Sequence, residues 1–219
     1  MKRKTYSRYR QILDFIVKIR VPFLSSFIVK KIYDQHFFED ANQLKIKTAE
    51  QVASVVNTFF DFRTVFDIGC GMGLYINELF KTGKVVMGCD YSADAIKMSC
   101  KDFLIFQADI SKPIILNQRF DLVMCFEVAE HIHQIYSKQL VSNCTEYSDR
   151  VIFTAAPIGQ GGVGHINEQP YEFWINLFEQ RSFAYNQTLS EDIRKKLRDN
   201  NVVDWLSNNF MCFERISNN

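Results

Sequence analysis

Apolar positions along the chain follow two alternating patterns. Five short runs, Thr64–Ile68, Val85–Cys89, Phe103–Gln107, Phe120–Phe126 and Val151–Ala155, are almost continuously apolar and rich in Val, Ile, Phe and Cys, as strands covered on both faces are. Between them, Leu74–Lys81, Ala93–Lys101 and Ile132–Cys144 repeat apolar residues at helical spacing. That alternation predicts an α/β fold with a doubly wound, mostly parallel sheet. Phe183–Ile216 reads as a strand, a helix and a strand that bring the sheet to seven strands, and Thr5–Phe62 as two or three helices capping its edge. No internal repeat interrupts the pattern.

A chain of 219 residues, 47% of them hydrophobic, suits one buried core better than two. We expect a single domain over 1–219, with a helical arm at 1–62 and the core at 63–219. The net charge of +1 gives no global field for nucleic acid. The balance is uneven, because Met1–Lys31 carries nine Lys or Arg residues against Asp14 alone. This arm either presents a solvated basic face or contacts an anionic membrane surface peripherally. Its apolar runs fall short of the ~20 residues of a spanning helix, and it has no small-residue cleavage site. A cytoplasmic location is expected. Six cysteines stand singly with no CxxC pair, so buried free thiols are expected, not a disulfide framework or a zinc site.

The stretch "VFDIGCGMGLYINEL", Val65–Leu79, places Gly69, Gly71 and Gly73 between a strand and a helix. Glycines there let a ligand approach the backbone, and the helix that follows offers unpaired N–H groups. In a doubly wound sheet this is also where ligands bind. A nicotinamide loop would space its glycines G-x-G-x-x-G around a pyrophosphate. Here the spacing is G-x-G-x-G after the acidic Asp67, which suits a cation. Asp90 ends the second strand and Asp109 follows the third, and "RFDLVMCFEVAEHI" carries Phe126, Glu127 and His131 past the fourth.

These ordered motifs resemble the class I S-adenosylmethionine-dependent methyltransferases from Val65 to Pro157. The resemblance implies S-adenosylmethionine as cofactor. Asp67, Gly69, Cys70 and Gly71 would hold its methionine end and Asp90 its ribose. Ala108 and Asp109 would meet the adenine, flanked by Tyr91 and Ile110. Phe126 and Glu127 would face the methyl group. "APIGQGGVGHINEQPYEFW", Ala156–Trp174, resembles the GHxNxQPxxYW segment of a smaller group linked to glycan and polysaccharide modification, with Phe173 where Tyr is common. "KIYDQHFFED", Lys31–Asp40, resembles an upstream element that closes over the cofactor. These segments nominate Tyr33, Asp34, His36, Asn167, Glu168 and Gln169 as acceptor contacts. The bland alternatives are an aromatic cluster packing the N-terminal helices and a helix cap at His165–Asn167.

A sugar or glycan hydroxyl is the favoured acceptor, and attack by an alcohol needs a base. His165 is the first choice and His131 the second, with Glu127 or Glu130 as orienting carboxylates. His133, about 200° further round a helix than His131, would point away. A divalent metal held by Glu127, His131, Glu168 and an acceptor diol is compatible with the residues but not compelled by their spacing. A lipid, quinone-like or protein acceptor is the alternative, and a non-enzymatic binding module a third reading.

Overall fold

The computed structural model describes residues 43–216. The basic arm and the candidates Tyr33, Asp34 and His36 lie outside the described residues. Within them the chain runs α1 (Gln43–Phe59), β1 (Thr64–Ile68), α2 (Leu74–Lys81), β2 (Val85–Asp90), α3 (Ala93–Met98), β3 (Leu104–Gln107), β4 (Leu122–Cys125), α4 (Ser137–Glu146), β5 (Arg150–Phe153), α5 (Tyr171–Glu179), β6 (Phe183–Tyr185), α6 (Gln187–Asp199), α7 (Asp204–Ser207) and β7 (Met211–Arg215). Two short 3-10 turns, Ala129–His131 and Gln134–Tyr136, join β4 to α4.

The seven strands form one sheet in the order β3-β2-β1-β4-β5-β7-β6. The first five pair in parallel, while β7 runs antiparallel to β5 and β6. Because side chains alternate across a strand, each central strand feeds two cores. Phe66, Ile68, Val123, Cys125, Val151 and Phe153 enter one, beneath Leu140 of α4 and Trp174 and Phe178 of α5. Val65, Leu122, Met124 and Ile152 enter the other, against Val52 and Val56 of α1, Ile76 and Leu79 of α2, and Ile193 and Leu197 of α6. The result is a three-layer helix–sheet–helix sandwich, as the near-continuous apolar strands require.

Two expectations need correction. The helix read over Ile132–Cys144 begins only at Ser137. Ahead of it the His133 ring accepts the Ile135 N–H at 3.3 Å and caps the second 3-10 turn, so the backbone groups that a helix would pair are satisfied locally. The helix from Ala93 stops at Met98, where Ser99 turns extended and its hydroxyl donates to the Ile96 carbonyl at 2.7 Å. All six cysteines carry free thiols. No helix among the described residues is long and apolar enough to cross a membrane.

After β1 the chain winds outward through β2 and β3, then returns to β4 on the opposite side of β1. The carboxyl ends of β1 and β4 therefore flank a topological switch point. The glycine turn opens at one end and the Cys125–His131 segment at the other.

Candidate active site

Past β1, Gly69, Gly71 and Gly73 all adopt left-handed backbone, with φ of 78°, 55° and 76°. The N–H groups of Gly69 and Cys70 donate to the Cys89 carbonyl at 2.8 and 3.0 Å, which folds the turn over β2. A Cβ on Gly69 would stand 2.4 Å from Val128 Cγ2, so glycine is needed there for space as well as for conformation. Gly73 then forms the N-cap of α2.

Asp67 lies beneath this turn, 2% exposed, and its Oδ2 has no hydrogen-bond partner. Burial, helped by the charge of Asp90, pushes its carboxyl up to about 8. A carboxylate in that setting is stabilised by an incoming cation. Asp90 is tied into the turn, because Oδ2 accepts the Gly71 N–H at 2.8 Å and Oδ1 the Ser92 N–H at 2.8 Å. Burial still raises its pKa despite those donors. The Ala108 N–H donates to the Asp90 carbonyl at 2.9 Å, and Asp109 Oδ1 accepts the Ser111 hydroxyl at 2.6 Å. The acidic ends of β1, β2 and β3 thus line one rim.

Of the other cofactor candidates, Tyr91 is 42% exposed on that rim, while Ile110 is buried in the core with Phe66. Cys70 packs toward β2, where a Cβ on Gly88 would come within 2.6 Å of its sulfur. Phe126 is buried, edge-on to Tyr75 with ring centres 5.3 Å apart and tilted against Phe210 at 5.0 Å.

At the end of β4 the chain takes a strained step: Glu127 has φ 55°, costly for a residue with a Cβ. Its N–H is held by Thr154 Oγ1 at 2.8 Å. Glu127 Oε1 is buried without a partner, as are both carboxylate oxygens of Glu130. Burial raises both acids, and in Glu130 the charge of Glu127 adds to it. His131 closes the first 3-10 turn instead of opening a helix. Its Nδ1 meets the Gly164 carbonyl at 3.2 Å, and burial lowers its pKa to about 3, so the ring is neutral. His165 reaches the same place from the loop after β5, with its ring centre 5.0 Å from that of His131. A Cβ on Gly162 would fall 2.2 Å from His165 Nε2.

The polar run after His165 acts differently from expectation. Glu168 accepts the His165 Nδ1 proton at 2.9 Å and the N–H groups of Gly159 and Gly161 at 2.9 and 2.7 Å. Partial burial opposes its ionisation, but those donors hold its carboxyl below the usual range. Its oxygens are therefore engaged by the loop. Asn167 is 2% exposed and turned inward, its amide donating to the Ala129 carbonyl and Ser137 Oγ at 3.1 Å each. Gln169 donates to Asn167 Oδ1 at 2.9 Å. Both brace the loop from within.

Three further residues stand at the site. Tyr75, in the first turn of α2, has its hydroxyl pKa raised by burial and by the charges of Glu127 and Asp67. Thr154 and Asn209 lie beside Glu127. Tyr75 follows the glycine turn directly and was findable on that ground; Asn209 carried no local signal.

Comparison with known proteins falls on the same region. Residues 66–146 match the family described as Methyltransferase domain. Ubiquinone biosynthesis O-methyltransferase of Coxiella burnetii is 28% identical over 117 residues, spanning 47% of this chain and 44% of that protein. The chain thus covers under half the length of the curated relatives it matches. The sugar N-methyltransferase of a Streptoalloteichus species superposes with a TM-score of 0.63 at 12% identity, covering 83% of this chain and 92% of that one. Magnesium protoporphyrin IX methyltransferase of Synechocystis, solved with bound SAH, gives 0.57 at 17% identity, covering 74% and 88%. At such identities the structures speak for the fold. Residues 66–146 thus carry the sequence pattern of a methyltransferase domain, and the sheet around them has the fold of solved S-adenosylmethionine-dependent methyltransferases.

Proposed function

We propose that this chain is an O-methyltransferase that moves the methyl group of S-adenosylmethionine onto a hydroxyl of a sugar or glycan. The observation that carries the proposal is one rim with two kinds of group. Asp67, buried and unpartnered, suits the cationic methionine end of the cofactor, and the Glu127, Glu130, His131 and His165 cluster stands at the adjacent strand ends. Asp90, Ala108, Asp109 and Tyr91 would receive ribose and adenine, with Gly69 and Gly71 allowing close approach of the backbone.

Transfer is an in-line displacement. The sulfur–methyl bond breaks as the oxygen–methyl bond forms, sulfur leaves with the electron pair as a neutral thioether, and the hydroxyl proton passes into the carboxylate and imidazole cluster. Aligning nucleophile, methyl and sulfur accounts for roughly 7–11 kcal/mol of such a barrier, and proton acceptance for a further ~10²–10⁴-fold. His165, held by Glu168, takes that proton when no metal ion occupies the cluster.

The curated relatives, all ubiquinone biosynthesis O-methyltransferases, favour a second reading with a quinone-like phenol as acceptor. The basic arm Met1–Lys31 would then bring the chain to an anionic membrane surface. Incubation with methyl-labelled S-adenosylmethionine, a panel of glycans and a panel of phenolic quinone precursors divides the two. Label in the glycans supports the first; label confined to the phenols overturns it in favour of the second.

A further inference from the structure

We propose that Glu130, His131 and His165 form a binding site for one divalent metal ion. One oxygen of Glu130 and one ring nitrogen from each histidine lie within 4.8 Å of one another. Side-chain adjustments of about an ångström bring such atoms into a shared shell at roughly 2.0–2.2 Å from a cation.

Three observations go beyond proximity. Glu130 is fully buried, with its carboxyl set against that of a second acid, Glu127. An unmatched acid at that depth is costly unless it binds a cation or keeps a proton. Second, each imidazole has its Nδ1 fixed by an acceptor, the Gly164 carbonyl for His131 and the Glu168 carboxylate for His165. Metal-binding histidines are oriented in this way, by a carbonyl or carboxylate on the nitrogen that does not bind.

Third, the two segments that supply the ligands are stitched together. The Glu130 carbonyl accepts the N–H groups of Ile166 and Asn167 at 2.8 and 3.1 Å, and the Asn167 amide reaches back to Ala129. The turn after β4 and the loop after β5 therefore hold a fixed register, which a site drawn from two strand ends needs.

Two imidazoles and one carboxylate leave other coordination positions open and suit Mn²⁺, Fe²⁺ or Zn²⁺ better than an oxygen-seeking Ca²⁺. The catalytic consequence rests on the O-methyltransferase reading. A hydroxyl bound at an open position would shed its proton more readily, and an acceptor with two neighbouring hydroxyls would chelate. In that arrangement His165 holds the ion and is not itself the base.

The test uses the full chain, stripped with a chelator and titrated with Mn²⁺ (followed by loss of the free-ion EPR signal) and with Zn²⁺ (against a colorimetric competitor), both without S-adenosylmethionine. One ion per chain is expected. Glu130→Gln and His165→Ala should each weaken binding about 100-fold or more, and Glu168→Gln, which only orients His165, about 10–100-fold. Retained S-adenosylmethionine affinity in these variants shows that they fold. Failure of the wild-type chain to take up either ion at millimolar concentration overturns the proposal. So does a Glu130→Gln chain that binds as tightly as wild type, leaving Glu130 as a protonated acid beside Glu127. If metal binds and S-adenosylmethionine does not, the cofactor reading fails while the metal site stands.

Discussion

Cofactor capture should be coupled to a proton at Asp67. In the unliganded chain burial and the Asp90 charge raise this carboxyl to about 8, so at neutral pH it is mostly protonated. A sulfonium or α-ammonium beside it needs the ionised form, and binding must expel the proton. The sign follows: affinity is low in acid and rises with pH until Asp67 ionises by itself. From pH 5.5 to 7.5 the ionised fraction of a group titrating at about 8 grows roughly 75-fold, about 2.5 kcal/mol at 1.36 kcal/mol per unit. Staying below pH 7.5 keeps most of the ligand's own α-ammonium charged, since such amines titrate near ~7.7–8.0. Calorimetry across that window should show the rise with S-adenosylmethionine. Methylthioadenosine, which lacks both cationic groups, should show none. Asp67→Asn should bind weakly with a flat profile. It should also stabilise the unliganded chain at pH 7.5 by about 2–4 kcal/mol, because a raised carboxyl opposes folding increasingly above its unfolded value. A flat wild-type profile, or a slope that survives in Asp67→Asn, refutes the reasoning.

Three further outcomes are expected. His165→Ala should keep S-adenosylmethionine affinity within about twofold while turnover falls by ~10²–10⁴-fold; single-turnover assays with saturating cofactor check this. Gly69→Ala should abolish cofactor binding and cost about 1–3 kcal/mol in stability, with Val128→Ala recovering part of the loss because Val128 Cγ2 is the atom a new Cβ would strike; denaturant melts of the four chains measure the coupling. Asn167→Ala removes the amide that donates to Ala129 and Ser137, so stability should drop by about 1–3 kcal/mol and turnover should fall with KM for the cofactor unchanged.

The first five strands were legible because their burial on both faces leaves a continuous apolar run, and each has both ends within two residues of its run. The region 132–144 was not. Ile132, Ile135 and Leu140 carry a helical spacing, yet the His133 ring satisfies backbone that a helix would need. At the rim, residue type announced chemistry without announcing direction. Asp67 is buried near the end of β1 with Oδ2 unpartnered. Asn167 and Gln169, equally polar, point inward to brace the loop. Glu130 was readable as an orienting acid, but its complete burial depends on the loop that covers it, some 35 residues downstream.

The grip of Gly159 and Gly161 on Glu168, and of Glu168 on His165, makes the loop and the imidazole one mechanical unit. Both glycines adopt left-handed backbone, so a substitution at either reaches the ring through Glu168. A saturation mutagenesis map would accordingly show two glycines, which contribute no functional group of their own, failing in the same manner as the histidine they steer.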